Sequence, residues 1–227
     1  MILFFRQIVA MALKDIRVEL RSPVRVFGVF FFSLALIFMV AFAAGSTTKI
    51  LQQIAGGTLW LGILLTSSRS LDQSFAIELD EGALEELVLW PVEAAAIFYG
   101  KAIANALVLL VVACALTPLV IAVFDTPIRG EFWQLVLFLV LGCTALAAPG
   151  TLLAGITSRA RGSSVLLPLL LFPLVVPALM AAARGTTVVL EGDPMGQSPG
   201  WLGVLVLFNA IHWSISGVLF RFVVEEA

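Results

Sequence analysis

Apolar residues run almost unbroken through six stretches of the chain, 24–44, 54–71, 98–124, 132–157, 163–183 and 201–223, and polar residues gather between them. Five of the six reach the ~20 residues that a helix needs to cross about 30 Å of hydrocarbon. The run at 54–71 is the weakest, because Gly56 and Gly57 dilute it. In lipid every backbone N–H and C=O must be satisfied within the segment, so these runs are predicted to be helices. The expected fold class is all-α: a polytopic membrane protein with six transmembrane helices in a single membrane domain over 1–227, without internal repeat or low-complexity tract.

Two segments depart from this pattern. Within 1–22, Arg6, Lys14, Arg17 and Arg21 fall on one arc of a helix, and Phe5, Ile8, Val9, Ala12, Leu13, Ile16 and Leu20 fall opposite. That spacing predicts an amphipathic helix lying in the membrane interface. Ser22-Pro23 would end it and open the first span; the alternative is an early start to that span. The second segment, "DEGALEELVLWPV" at 80–92, sets acids beside apolar residues. Leu84, Leu87 and Val88 share a helical face while Glu81 and Glu85 lie on another. Asp80 and Glu81 suit the positive end of a helix, and Pro91 would stop it. The expectation is a short surface helix within a segment at 72–91. Two roles are open: docking a soluble partner, or resting on the protein as a solvated acidic loop.

Composition agrees with the pattern. Hydrophobic residues make up 61% of the chain and charged ones 12%, about half the charged share of a soluble domain. The net charge of −2 offers no basic excess for nucleic acid. The opening residues keep charges within their apolar part and lack a small-residue cleavage pattern, so they read as mature protein and not a signal peptide. Charge position decides orientation. With the N-terminus in the cytosol, Arg6, Lys14, Arg17, Arg21, Arg25, Arg69, Lys101, Arg159, Arg161 and Arg221 lie inside, ten of the thirteen Lys and Arg; Lys49, Arg129 and Arg184 lie outside. This bias places both termini in the cytosol.

The chemistry is sparse. His212, the single histidine, sits in the sixth run between Ile211 and Trp213. It is either a ligand candidate, since ionisable groups inside membranes are costly, or a neutral ring bonded to a neighbouring helix. Cys114 and Cys143 lack metal or redox spacing and read as buried thiols. No P-loop is present: Ala95 stands where its first Gly would be, and Ala102 follows Lys101. Driven work would therefore take its energy from another chain. The spans hold no mid-membrane carboxylates of the kind that proton- and ion-coupled transporters use. Pro168, Pro173 and Pro177 punctuate the fifth run, which suits a bent, gate-like helix or simply the ordinary tolerance of membrane helices for proline. Ala147, Thr151 and Gly155, four apart, form a small-residue face for close packing within the fold or between protomers. The segment 184–200 is expected as a loop on the far side. The five tryptophans, Trp60, Trp90, Trp133, Trp201 and Trp213, read mostly as interface anchors.

Taken with these residues, three stretches resemble a known family: "SLDQSFAIELDEGALEELVLWPV" at 70–92, "GKAIANALVLLVVACALTPLVIAVF" at 100–124 and "GITSRARGSSVLLPLLLFPLVVPALMAAA" at 155–183. They are similar to CcmB, the permease subunit of the haem exporter of cytochrome c maturation. The matching positions are Asp72, Glu81, Gly82, Ala83, Leu84, Glu85, Leu87, Pro91, Lys101, Arg161, Gly162, Pro173 and Pro177. Glu81 stands where Asp is usual, Gln73 where a basic residue is usual, and Ser163 where a second Gly is common. The resemblance implies an ABC-exporter-like permease in a bacterial inner membrane, present in two copies and working with a CcmA-like ATPase subunit that holds the ATP. CcmC-like and CcmD-like membrane subunits and a CcmE-like haem chaperone complete the implied system. It implies haem as substrate, with no resident cofactor. It implies an ATPase-coupling role for Asp72, Glu81, Gly82, Leu84, Glu85, Leu87, Val88 and Pro91, and a cytosolic turn at Arg161-Gly162. Two alternatives are open: an exporter permease for a lipid, polysaccharide or drug, and a membrane scaffold that transports nothing.

Overall fold

The computed structural model describes residues 2–20, 23–45, 47–80, 93–158 and 163–225. Among them are seven helices and no strand: α1 Ile2–Leu20, α2 Pro23–Ala44, α3 Thr48–Asp80, α4 Ala94–Val123, α5 Phe132–Thr157, α6 Ser163–Glu191 and α7 Ser198–Glu225. Five stretches are long and apolar enough to cross a membrane: Thr48–Asp72 of α3, Ala94–Val123, Phe132–Thr157, Val165–Glu191 and Ser198–Val223. Helix α2 has 22 residues, about 33 Å at 1.5 Å per residue; its described apolar part is Phe30–Ala44.

Helix α5 is the centre of the bundle. Buried residues fill 72% of its apolar window, against 22% for α7 at the periphery. It packs against α3, α4, α6 and α7, while α6 also lies along α3 and α7. The small-residue face of α5 explains this position: Ala147, Thr151 and Gly155 are all buried. Thr151 accepts a hydrogen bond from Asn105 Nδ2 on α4 at 3.0 Å. Gly155 faces Phe220 of α7 and Phe75 of α3. That face therefore packs within one chain.

Helix–helix hydrogen bonds replace the hydrophobic drive that lipid cannot supply. Ser33 Oγ of α2 lies 2.7 Å from Thr66 Oγ1 of α3 and donates to the Gly62 carbonyl at 3.2 Å. Trp60 Nε1 of α3 donates to Thr186 Oγ1 of α6 at 3.0 Å. Gly56, expected to weaken the second span, instead lets α3 meet α6: a Cβ there would strike Thr187 and the Ala183 carbonyl.

Several expected boundaries move. The second span is part of a 33-residue helix, so 72–80 continue α3, and Asp80 sits in its last described turn instead of opening a new helix. The far-side loop expected at 184–200 is much shorter. Residues 184–191 extend α6 and 198–200 open α7, leaving 192–197 between them. The β-branched run Thr186 to Val189 is a mediocre helix former, but buried packing on α3 and α5 overrides its propensity. Trp60 is 1% exposed, and Trp213 donates Nε1 to the Thr144 carbonyl and to Asn209 Oδ1, each at 3.2 Å. These two tryptophans tie helices together and do not anchor an interface; Trp133 is exposed and Trp201 half-buried.

Candidate functional site

Helix α1 lies across the start of α4 and divides its apolar face between two environments. Ile8, Met11 and Ala12 are buried, and Gly100 makes their seat: a Cβ there would meet Met11 Cβ and the Ile8 carbonyl. Phe5, Val9 and Leu13, at four-residue spacing, stay exposed. The expected amphipathic helix forms, with about half of its apolar arc exposed and the other half held by protein.

Beside that seat is Lys101, 1% exposed although it carries a charge. Its Nζ lies 3.2 Å from Asp15 Oδ2 of α1, whose side chain is 15% exposed. The same ammonium stands 4.8 Å from the centre of the Phe75 ring on α3, a cation–π contact of about 0.5–2 kcal/mol. An ammonium buried without a partner would cost several kcal/mol, so the pair is required by the burial. Around it lies an aromatic cluster: Phe75 against Phe220, Phe98 against Tyr99, Trp213 and Phe220. The last turns of α7 therefore lie at the same end of the bundle as α1. Lys101 stands nine positions beyond the segment 81–92 in sequence, and Phe75 six before it.

The sequence-derived site residues fall as follows. Asp72 is half-buried near the same end of α3. Glu81, Gly82, Leu84, Glu85, Leu87, Val88 and Pro91 lie outside the described residues, as do Arg161 and Gly162. Pro173 and Pro177 are exposed on the outer face of α6, with Pro168 half-buried. A path lined by the first two would thus run along the outside of a single chain. His212 Nδ1 lies 2.9 Å from the Phe208 carbonyl, an acceptor that calls for the Nδ1–H tautomer. Its ring stacks on Phe208 at 3.8 Å. Among the described residues no three His, Cys, Asp or Glu side chains group as a metal site.

At the opposite end, Asp193 closes the connection between α6 and α7. Its Oδ1 accepts the Gln197 N–H at 2.7 Å; its Oδ2 accepts the Ser198 N–H at 2.8 Å and the Ser198 hydroxyl at 2.7 Å. The Ser198 hydroxyl, then the two backbone N–H groups, hold this carboxyl below its ordinary value of 3.8.

Sequence reasoning noticed Lys101 but not its partner. Asp15 follows Lys14 in the chain but falls outside the basic arc, and no periodicity links it to α4. The adjoining Gly100 was the one available signal, since a glycine beside a buried lysine marks a place where another backbone comes close.

These features define a multi-pass, all-helical membrane protein in which a few buried polar pairs join helix to helix. The CcmB protein family model matches residues 6–221, and the chain belongs to that family. Its relatives named "Heme exporter protein B" include one from Rhodobacter capsulatus, 35% identical over 170 residues, covering 73% of this chain and 78% of the relative. The Paracoccus denitrificans relative is 32% identical over 187 residues, 82% of this chain and 85% of its own. That of Escherichia coli K12 is 30% identical over 200 residues, 86% and 89% respectively.

Proposed function

We propose that this chain is the permease subunit of an ATP-driven haem exporter serving c-type cytochrome biogenesis, moving haem or driving release of a haem-loaded chaperone. The observation that carries the reading is the family match over 6–221, together with relatives named as haem exporters along most of the chain. In this reading α2 is the sixth crossing, both termini are cytosolic and the membrane is the bacterial inner membrane. Ten of thirteen Lys and Arg on the α1 side support that orientation, as does the meeting of α1 and the end of α7 at one end of the bundle.

ATP is hydrolysed on a separate P-loop subunit of the CcmA kind, two of each chain forming the exporter. CcmC-like and CcmD-like subunits and a CcmE-like chaperone handle the haem. The segment 72–91 receives the ATPase: Leu84, Leu87 and Val88 are its apolar positions, Glu81 and Glu85 its charged ones, and Asp72, Gly82 and Pro91 share the coupling role; Arg161-Gly162 is a cytosolic turn. In this reading the three prolines of α6 serve as the kink-forming positions of a gate-like helix.

The test is to delete the gene and complement it. Loss of covalent haem from c-type cytochromes, restored by the wild-type chain, is the expected result; normal cytochromes in the deletion strain would overturn the reading. Leu84→Asp, Leu87→Asp and Glu85→Lys are expected to insert normally yet abolish co-purification with the ATPase. Unchanged co-purification would remove the docking assignment alone.

A further inference from the structure

From the Asp15–Lys101–Phe75 contact we infer that Lys101 is a latch, a positioning residue that makes α1 move as one piece with the two helices flanking segment 81–92. The inference deepens the proposed function and rests on its premise that 81–92 meets an ATPase.

A buried ammonium is an expensive way to fill space in a membrane protein. An aliphatic side chain at Lys101 would pack against Phe75 without a charge to neutralise. What the lysine adds is a direction-specific tie reaching three elements at once. Its backbone belongs to the second turn of α4, just after 81–92. Its charge is held by Asp15 of α1 at 3.2 Å, and its ammonium faces Phe75 of α3, just before 81–92. Both ends of the segment that would take a push from outside are thereby fastened to the same interfacial helix. The Gly100 seat keeps α1 close enough for the tie. Packed helices transmit displacement as rigid pieces. A push on 81–92 would then reach α1, whose exposed Phe5, Val9 and Leu13 stripe would carry it along the membrane surface.

The experiment uses the intact complex and compares Lys101→Met, Lys101→Arg, Asp15→Asn and the apolar exchange Lys101→Met with Asp15→Leu. The exchange removes the tie without leaving a buried charge, so it remains informative if single variants fail to insert. Two quantities are read. One is haem attached to c-type cytochrome per ATP hydrolysed, normalised to assembled complex. The other is labelling by a membrane-impermeant maleimide of a cysteine placed by Ile8→Cys, in a background carrying Cys114→Ser and Cys143→Ser. The expected result is a fall of about tenfold in the haem-to-ATP ratio, of the size typical for broken coupling contacts. ATPase retention stays normal, the Ile8 position becomes open to label, and Lys101→Arg restores both readings. A proportional loss of complex, hydrolysis and haem that leaves the ratio unchanged would overturn the latch, as would a cysteine at Ile8 that remains equally protected. Should the wild-type chain retain no ATPase, the proposed function fails instead, and the labelling alone decides whether Lys101 holds α1.

Discussion

The two ends of the bundle are closed by different means. Opposite α1, the contacts around the connections are mostly uncharged or local. Asp193 caps α7 from four and five positions away. The Gly130 and Arg129 N–H groups reach the Val189 and Leu190 carbonyls at 2.8 and 3.3 Å. Gln52 Nε2 donates to the Asp125 carbonyl at 2.6 Å. At the α1 end the tie is a charge pair between residues 86 positions apart, one of them buried. Apart from the local Asp193 cap, the Arg129, Gly130 and Gln52 bonds tie separate connections together through uncharged groups. The buried charge pair holds only while α1 and α4 stay in register, because a charge left without its partner is costly. The first kind suits a fixed frame, the second a place where force enters.

The comparison can be broken from the frame side first. Trp60→Ala should cost about 3–5 kcal/mol, from the cavity together with the lost tie to Thr186, seen as a collapse of thermal stability in detergent. Retention of stability would mean that the α3–α6 contact is no part of a frame. Next, Gly100→Leu should cost about 1–3 kcal/mol by wedging α1 off α4. Hydrogen exchange should then show α1 unprotected while α5 and α6 stay protected; loss of protection throughout would erase the distinction between the ends. Between them, Asn105→Leu strips one interhelical hydrogen bond and should cost about 0.6–2 kcal/mol, read as a lowered melting temperature with haem export retained. The smallest effect is expected at Asp193. Its carboxyl is held low by the Ser198 and Gln197 donors, so the cap is intact above the ordinary carboxylate range and fades as pH falls through the lowered folded value. Asp193→Ala should therefore lower the melting temperature slightly at neutral pH, and the gap to wild type should narrow in acid. A gap independent of pH would show that the cap does not depend on the charge.

The membrane class and helical fold were legible because apolar run length depends on local composition alone. Boundaries were less so. Residues 72–80 follow the apolar span and read as a segment apart from it, yet they continue α3 as helix; residues 184–191 read as a loop because 184–200 is rich in Gly and Pro, yet Trp60 and Phe138 pack there. Polarity reports where a residue would rather be, whereas a helix continues as long as a neighbour covers it. The Lys101 tie illustrates the harder case. Asp15 and Lys101 belong to separate elements, and a pairing between elements leaves no spacing along the chain to read. Segment 81–92, the part of the candidate site most distinctive in sequence, lies outside the described residues, so its roles rest on pattern and family.

The shortness of the connections opposite α1 has a consequence for delivery. Ala44 to Thr48, Val123 to Phe132 and Glu191 to Ser198 are joined by three, eight and six residues. Even the eight-residue link, out and back at about 3.5 Å per residue, can rise no more than about 14 Å from the helix ends. Such a surface offers no arm to pass cargo outward. Under the proposed function, whatever collects haem on that side must come down to the bilayer to do so, and a collector tethered to the membrane would have a standing advantage over one that diffuses freely.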